Sequence, residues 1–311
     1  MRLARHSDQV GAMTQANRPI AGVAWMLVTG LCFVGVTAVV KHVGRGVPAA
    51  EAAFLRYLLG LVFLFPMIRP LMNAQLSRRG LALFTLRGAV HTGGVILWFY
   101  AMTKITVAEV TAMNYMNPIY VTLGAAVFLG EKLAARRLIA IGAALIGALI
   151  ILRPGFRELN SGHLAMLFTA LSFGASYLIA KRMTSEASAT VVVAMLSITV
   201  TIGLAPFAWA VWVPPTVEQL AWLFLVAAFA TAGHYSMSMA FAAAPVSVTQ
   251  PVTFLQLVWA VTLGAVVFGE PVDSWVVAGG ALIMGAVSFI TLREAMVKRR
   301  SITPPAESTR I

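Results

Sequence analysis

From Ile20 onward the chain is a succession of apolar runs, each about twenty residues long, separated by short polar connectors. That length matches the thickness of a bilayer's hydrocarbon core when the run is helical. Inside lipid only helices and closed barrels satisfy every backbone polar group, and runs this long and uniformly apolar select helices. Ten runs can be read: Ile20–Val40, Pro48–Ile68, Leu81–Thr103, Val107–Leu129, Ala134–Leu152, Gly162–Ala180, Ala189–Val213, Leu220–Ala244, Val246–Phe268 and Trp275–Leu292. Charged residues make up 11% of the chain, against about 25% for a soluble one. A single water-soluble core is thereby excluded, and so is a disordered chain, which needs low hydrophobicity. The first run is too long for a signal-peptide core and is read as a retained helix. The expected fold is an all-α membrane protein with ten transmembrane helices.

The net charge of +12 does not point to nucleic acid, because the basic residues sit in short clusters between the runs, as topology signals do. With the N-terminus inside, sixteen of the 23 Lys and Arg residues fall on the inner side and five on the outer, while Arg56 and Arg87 lie within spans. The expected location is therefore a bacterial-type inner membrane, multi-pass, with both termini cytoplasmic. One cysteine, Cys32, precludes a disulfide framework or a Cys-based metal motif and reads as a packing residue. No metal and no cofactor is expected.

An internal repeat organises the runs. A shift of 140 aligns Gly22–Lys41 with Gly162–Lys181 and matches seven of 20 positions, among them Thr29/Thr169, Phe33/Phe173 and Lys41/Lys181. A shift of 139 matches Gly94/Gly233, Ala101/Ala240, Val107/Val246 and Glu131/Glu270; a shift of 138 matches Gly142/Gly280 and Gly147/Gly285. Five spans per copy is an odd number, so the second copy must insert upside down. Inverted repeats of this kind place a binding site near the midplane, between the halves. The expected organisation is an N-terminal cytoplasmic segment (1–19), a first repeat (20–153), a second repeat (160–293) and a disordered cytoplasmic tail (294–311).

The stretch Trp98-Phe99-Tyr100-Ala101-Met102, the Asn117-Pro118 step, the helix end Phe128-Leu129-Gly130-Glu131, the close Leu152-Arg153-Pro154-Gly155 and Phe54-Leu55-Arg56-Tyr57 together resemble the drug/metabolite transporter superfamily, in its EamA-type branch. The resemblance runs from about Gly22 to Arg293. It implies ten helices, cytoplasmic termini and a central substrate cavity. Members of that branch include exporters of amino acids and importers of compounds such as S-adenosylmethionine or riboflavin. The second copy departs from the pattern: Asn117-Pro118 becomes Gln256-Leu257, and prolines stand instead at Pro245 and Pro251.

Polar residues within apolar spans face a bundle interior or a wet cavity. On a helical wheel Glu109, Met113, Asn117, Tyr120 and Gly124 share an arc of about 80° in the fourth span, and Thr249, Thr253 and Gln256 one of about 60° in the ninth. The repeat maps Asn117 onto Gln256 and Asn114 onto Thr253, so uncharged donors and acceptors face each other at pseudo-twofold positions. Asn117, Gln256, Asn114, Thr253 and Tyr120 are candidate substrate-binding residues; interhelical hydrogen bonding is the structural alternative. Trp98 and His91 in the third span, His234 and Ser238 in the eighth, and Tyr177 in the sixth complete the candidate set. Thr29, Thr169, Ser172 and Ser176 are expected at its edges. His91 and His234 do not occupy matched repeat positions. Glu109 is the candidate for proton or cation coupling, with a pairing to Lys104 as its structural alternative. Arg56 needs an acceptor such as Glu51, a helix end or an anionic substrate group, and Arg87 reads as an interfacial anchor. Glu131 and Glu270 each precede a helix and read as structural. Ala143-xxx-Gly147 and Ala281-xxx-Gly285 serve close helix packing or homodimerisation, with the choice left open.

No Gly-rich loop followed by Lys-Ser/Thr is present to drive transport with nucleotide. The expected function is secondary transport of a small polar or amphipathic metabolite, amino-acid-like or nucleoside/flavin-like, by alternating access, exporter or importer left open. The expected partners are that small molecule, membrane lipids and a proton or counter-substrate. A passive pore is the alternative. An intramembrane enzyme would need a nucleophile with a base, paired carboxylates or metal-ligand spacing, and none is legible.

Overall fold

The computed structural model describes residues 18–302 apart from Arg45, 130–134, 157–158, 184–186 and 245–248. The described residues form α-helices joined by short turns: α1 (Pro19–Val43), α2 (Ala49–Gly60), α3 (Ile68–Met72), α4 (Arg78–Met102), α5 (Val107–Asn114), α6 (Asn117–Leu129), α7 (Ala135–Leu152), α8 (Ser161–Met183), α9 (Ala189–Ala210), α10 (Val217–Ala243), α11 (Phe254–Phe268) and α12 (Ser274–Ile302). α2 and α3 are halves of the second span, joined by a 3-10 turn Leu61–Met67 that contains Pro66. Proline lacks an N–H and clashes with the preceding turn, so the helix tightens there instead of ending. Six of the spans are long and apolar enough to cross a membrane, and Leu138–Leu152, Leu255–Phe268 and Ser274–Phe289 are shorter apolar helices. Large apolar side chains such as Leu31, Phe207, Val266 and Leu282 stand exposed on the outside of the bundle, as a lipid-facing surface requires. The chain is an integral, multi-pass, all-α membrane protein built from two inverted five-helix repeats.

Helix pairing carries the pseudo-twofold. α1 packs on α10, and its repeat mate α8 packs on α4; α2 packs on α9, α5 on α11 and α7 on α12. Each pairing maps onto itself or onto another when the repeats are exchanged. The contacts agree in detail. A Cβ at Gly233 of α10 would meet the Phe33 ring at 3.0 Å and Cys32 at 3.2 Å, and one at Gly94 of α4 would meet the Phe173 ring at 2.8 Å and Ser172 at 3.0 Å. The matched glycines thus open the same close approach in both copies. Thr29 donates to Ser236 of α10 at 3.1 Å and Thr169 donates to the Gly94 carbonyl of α4 at 3.3 Å. Both threonines are buried: they bond helix to helix rather than edge a cavity.

Two expectations are corrected, and one left open is narrowed. The fourth span is not one helix: α5 ends at Asn114 and α6 starts at Asn117. Met116, Ile119 and the C-cap Tyr115 take tight i−3 bonds across the break. Pro118 supplies the cause, since it disfavours helical backbone at the residue before it. The last helix runs on to Ile302 rather than stopping at Leu292, so the first part of the expected disordered tail is helical; the remainder lies outside the described residues. Finally, Gly147 of α7 packs against Gly279 and Ile283 of α12, while Ala281 and Gly285 face outward. Gly147 thus serves close packing within the chain, one of the two roles left open for its motif.

Candidate functional site

The ninth span breaks near where the fourth does. Gln250–Thr253 is a 3-10 turn and α11 starts at Phe254; under the shift of 139 the turn aligns with Thr111–Asn114, just before the first break, and Phe254 with Tyr115. The two breaks touch: the Tyr115 hydroxyl donates to the Thr253 carbonyl at 3.0 Å. Discontinuous helices at corresponding positions leave backbone groups open at the membrane midplane, and these are the usual material of carrier sites. At the first break the Asn117 amide donates to the Asn114 side chain at 3.0 Å. The Asn117 Oδ1 atom is buried with no hydrogen-bond partner. Gln256, Asn114 and Thr253 are half-buried.

The flanking residues arrange as follows. Trp98 is half-buried and lies edge-on to Phe99 at 5.4 Å. Tyr120 is half-buried, with its Cβ close against Gly174 of α8. His91 is buried, stacked on Phe173 at 4.7 Å, and its Nδ1 lies 3.1 Å from the Ser176 hydroxyl. His234 is exposed and meets Phe33 edge-on at 5.2 Å. The two histidines do not occupy matched repeat positions, and their burial and ring geometry differ. Each rests on the matched phenylalanine of the opposite copy, because they differ in register by four residues, one helical turn on the same face. Tyr177 is 44% exposed, yet lies within electrostatic reach of Tyr57 and Arg87 on two other spans. The side chain of Ser238 lies outside the described residues.

A second polar cluster sits at the N-terminus of α5, in a cavity of about 620 Å³ lined by Lys41, Lys104, Thr106, Glu109, His163 and Glu270, among others. Thr106 and Glu109 form a capping box, with the carboxylate accepting from the Thr106 N–H at 2.8 Å. Its other oxygen lies 3.1 Å from His163 Nε2 of α8. Glu109 thus pairs across the seam with His163 and not with Lys104, which lies over the Tyr100 ring. Glu270 caps the same helix end from the other repeat: it accepts the Val107 N–H at 2.9 Å and forms an ion pair with Lys41. Two carboxylates at a helix N-terminus complement its dipole. Glu131 lies outside the described residues. Glu51, fully buried, accepts the Val213 N–H at 2.9 Å rather than meeting Arg56. Sequence reasoning missed His163, whose partner lies in another span and another repeat; the signal was a histidine at the start of an apolar run.

The EamA-like transporter family matches the chain twice, over residues 20–153 and 160–292. The chain is similar to a riboflavin transporter of Rhizobium johnstonii, at 30% identity over 94% of this chain and 98% of that protein. It is 25% identical to a pseudopaline exporter of Pseudomonas aeruginosa, over 86% of this chain and 94% of the relative. An S-adenosylmethionine uptake transporter of Rickettsia bellii is 23% identical over 90% of this chain and 97% of its own length. A crystal structure at 19% identity superposes with a TM-score of 0.55 over 91% of this chain and 99% of that one, which shows the shared fold.

Proposed function

The chain belongs to the EamA-like transporter family, and on that premise we propose that it is a secondary carrier that moves a polar or amphipathic metabolite by alternating access. That it is a transporter of small molecules rather than an enzyme follows from the family and the relatives. The mode of transport and the site are our own reading. The carrying observation is the contact of Tyr115 with Thr253 from opposite repeats, beside a buried, unpartnered Asn117 Oδ1 at the first break. A substrate N–H or O–H donor satisfies that acceptor. Gln256, Asn114 and Thr253 offer further uncharged groups, and Trp98, Tyr120, Tyr177, His91, His234 and Ser238 are the further candidates on neighbouring spans. The relatives' cargoes, riboflavin, pseudopaline and S-adenosylmethionine, set the range of sizes and polarities to test, and import and export are both open. The protein lies in the inner membrane with both termini cytoplasmic.

Counterflow in proteoliposomes tests this. Preloading with unlabelled riboflavin or S-adenosylmethionine should accelerate uptake of the same labelled compound, as a carrier requires and a pore forbids. Asn117→Ala and Gln256→Ala should reduce that uptake while the protein still inserts; full uptake by both variants would remove this site. Glu109, with His163, is the proposed coupling group. Glu109→Gln should abolish accumulation driven by an imposed pH gradient and leave counterflow intact. Intact proton-driven accumulation would end that role.

A further inference from the structure

Two arginines within the spans remain without a carboxylate. Arg87 of α4 is buried, donates from one nitrogen to the Val192 carbonyl of α9 at 2.9 Å and leaves its Nε without a partner. Val192 lies in the first turn of α9, so Arg87 bonds close to the inner end of that helix. Arg56 of α2 is half-buried, with its guanidinium 4.1 Å over the Tyr57 ring. Among the described residues neither forms an ion pair, and Glu51, the acceptor nearest in sequence to Arg56, is bonded to the Val213 N–H instead.

These arginines approach each other from opposite faces of the membrane. Arg56 is seven residues into α2 and Arg87 nine into α4, about 10 and 13 Å deep at 1.5 Å per residue. Consecutive spans start on opposite sides, so Arg56 descends from the outer face, while the Arg87 guanidinium, bonded to Val192 in the first turn of α9, stays toward the inner helix ends. Both lie within electrostatic reach of His91. His234 lies within reach of Arg56, and Tyr177 within reach of Arg87. His234 and Tyr177 are themselves exposed.

An unpaired charge at this depth costs several kcal/mol, and ionisable groups inside a membrane mark ligand pathways more often than they stabilise a fold. A guanidinium stacked face-on against an aromatic ring keeps its in-plane N–H donors free. A carboxylate or phosphate accepts two such donors at once and supplies the missing negative charge.

We propose that Arg56 and Arg87 form a cationic subsite that receives an anionic oxygen group, carboxylate or phosphate, of the transported metabolite. Arg56 makes the direct contact and Arg87 adds its field from the buried side. This deepens the carrier reading and rests on it: the uncharged amides at the helix breaks take the polar body of the solute, and the arginines take its charge.

Matched solutes differing by one anionic group test the subsite on the full-length protein in phosphatidylcholine nanodiscs: glutamate against glutamine, phenylacetate against phenylacetamide, and riboflavin 5′-phosphate against riboflavin. In at least one pair the anionic member should bind about tenfold or more tightly than its neutral mate, the range of a charge-assisted contact. Arg56→Gln should bring that ratio to about one, and Arg56→Lys, which keeps the charge, should retain part of it. Equal binding within every pair, or a ratio unchanged by Arg56→Gln, overturns the subsite; if Asn117→Ala still weakens those solutes, the carrier reading survives alone. Failure of every solute to bind or to counterflow removes both. Stabilisation by added phosphatidylglycerol that depends on Arg56, with no response to the soluble anions, assigns the arginines to a lipid headgroup and likewise overturns the proposal.

Discussion

The N-terminus of α5 and the middle of the bundle treat charge in opposite ways. At the helix end both carboxylates face a complement: Glu109 meets His163 and the Thr106 N–H, and Glu270 meets Lys41 and the Val107 N–H. All of these pairings except the Glu109–Thr106 capping contact join the two repeats. A dozen or so ångströms further in, Arg56 and Arg87 have no carboxylate, and Asn117 has an acceptor left over. Satisfied polar groups hold two halves together, whereas unsatisfied ones are retained because something else satisfies them. The contrast separates the part of the seam that fastens the repeats from the part open to a solute. It also yields a ranking of substitutions, since fastening groups should affect folding most and open groups least.

The largest effect is expected at the fastened end. Glu109→Ala leaves His163 and the Thr106 N–H without their buried partner, which should cost about 3–5 kcal/mol of stability. Thermal unfolding of the detergent-purified protein checks it, and a melting temperature equal to the parent's would break the contrast outright. Glu109→Gln retains an acceptor for the Thr106 N–H and should recover part of the loss. Next come the matched glycines. Gly94→Ala pushes against Phe173 and Ser172, Gly233→Ala against Phe33 and Cys32, and overpacking of this sort costs about 1–3 kcal/mol. Because the contacts are pseudo-equivalent, the two melting temperatures should fall together. A large loss in one and none in the other would mean that the repeats do not share their helix packing.

Much of this was legible in the sequence, and what was not has a physical pattern. Span number and the inverted repeat follow from hydropathy and register, because the bilayer fixes the length and the duplication preserves the spacing. The break in the fourth span was carried by Pro118, yet the apolar run continues through it, so periodicity alone reads a single helix. His91 and His234 stand four residues apart in the repeat register, so alignment position by position does not show that each meets the matched phenylalanine of the other copy. The Glu109–His163 pair was illegible for a different reason: its members are 54 residues apart in separate repeats, and no spacing rule connects them. Arg56 and Arg87 were visible as anomalies from the outset. Only the placement of Glu51 against Val213 removed the nearest acceptor.

At the open part of the seam the order of effects should reverse, with binding more sensitive than folding. Asn117→Ala removes an acceptor with no described protein partner. Its melting temperature should stay close to the parent's, within about 1 kcal/mol, while affinity for a transported solute falls about tenfold, the value of one hydrogen bond near 1.4 kcal/mol. Isothermal titration in nanodiscs measures the second quantity. A variant that loses stability and binds normally would move Asn117 to the fastening side.

The smallest expected effect is at the contact that belongs to both parts. Tyr115→Phe deletes only the hydroxyl that donates to the Thr253 carbonyl, a bond between the two helix breaks. Interhelical hydrogen bonds in membrane proteins average about 0.6 kcal/mol, so melting should barely change. The ring stays packed, and the Thr253 carbonyl is left with one donor fewer. If the breaks move as a unit when the carrier changes face, removing their link should alter the rate of exchange more than the affinity. The check is counterflow against equilibrium binding on the same preparation. An unchanged rate with unchanged affinity would reduce the bond to packing, and with it the claim that the two breaks act together.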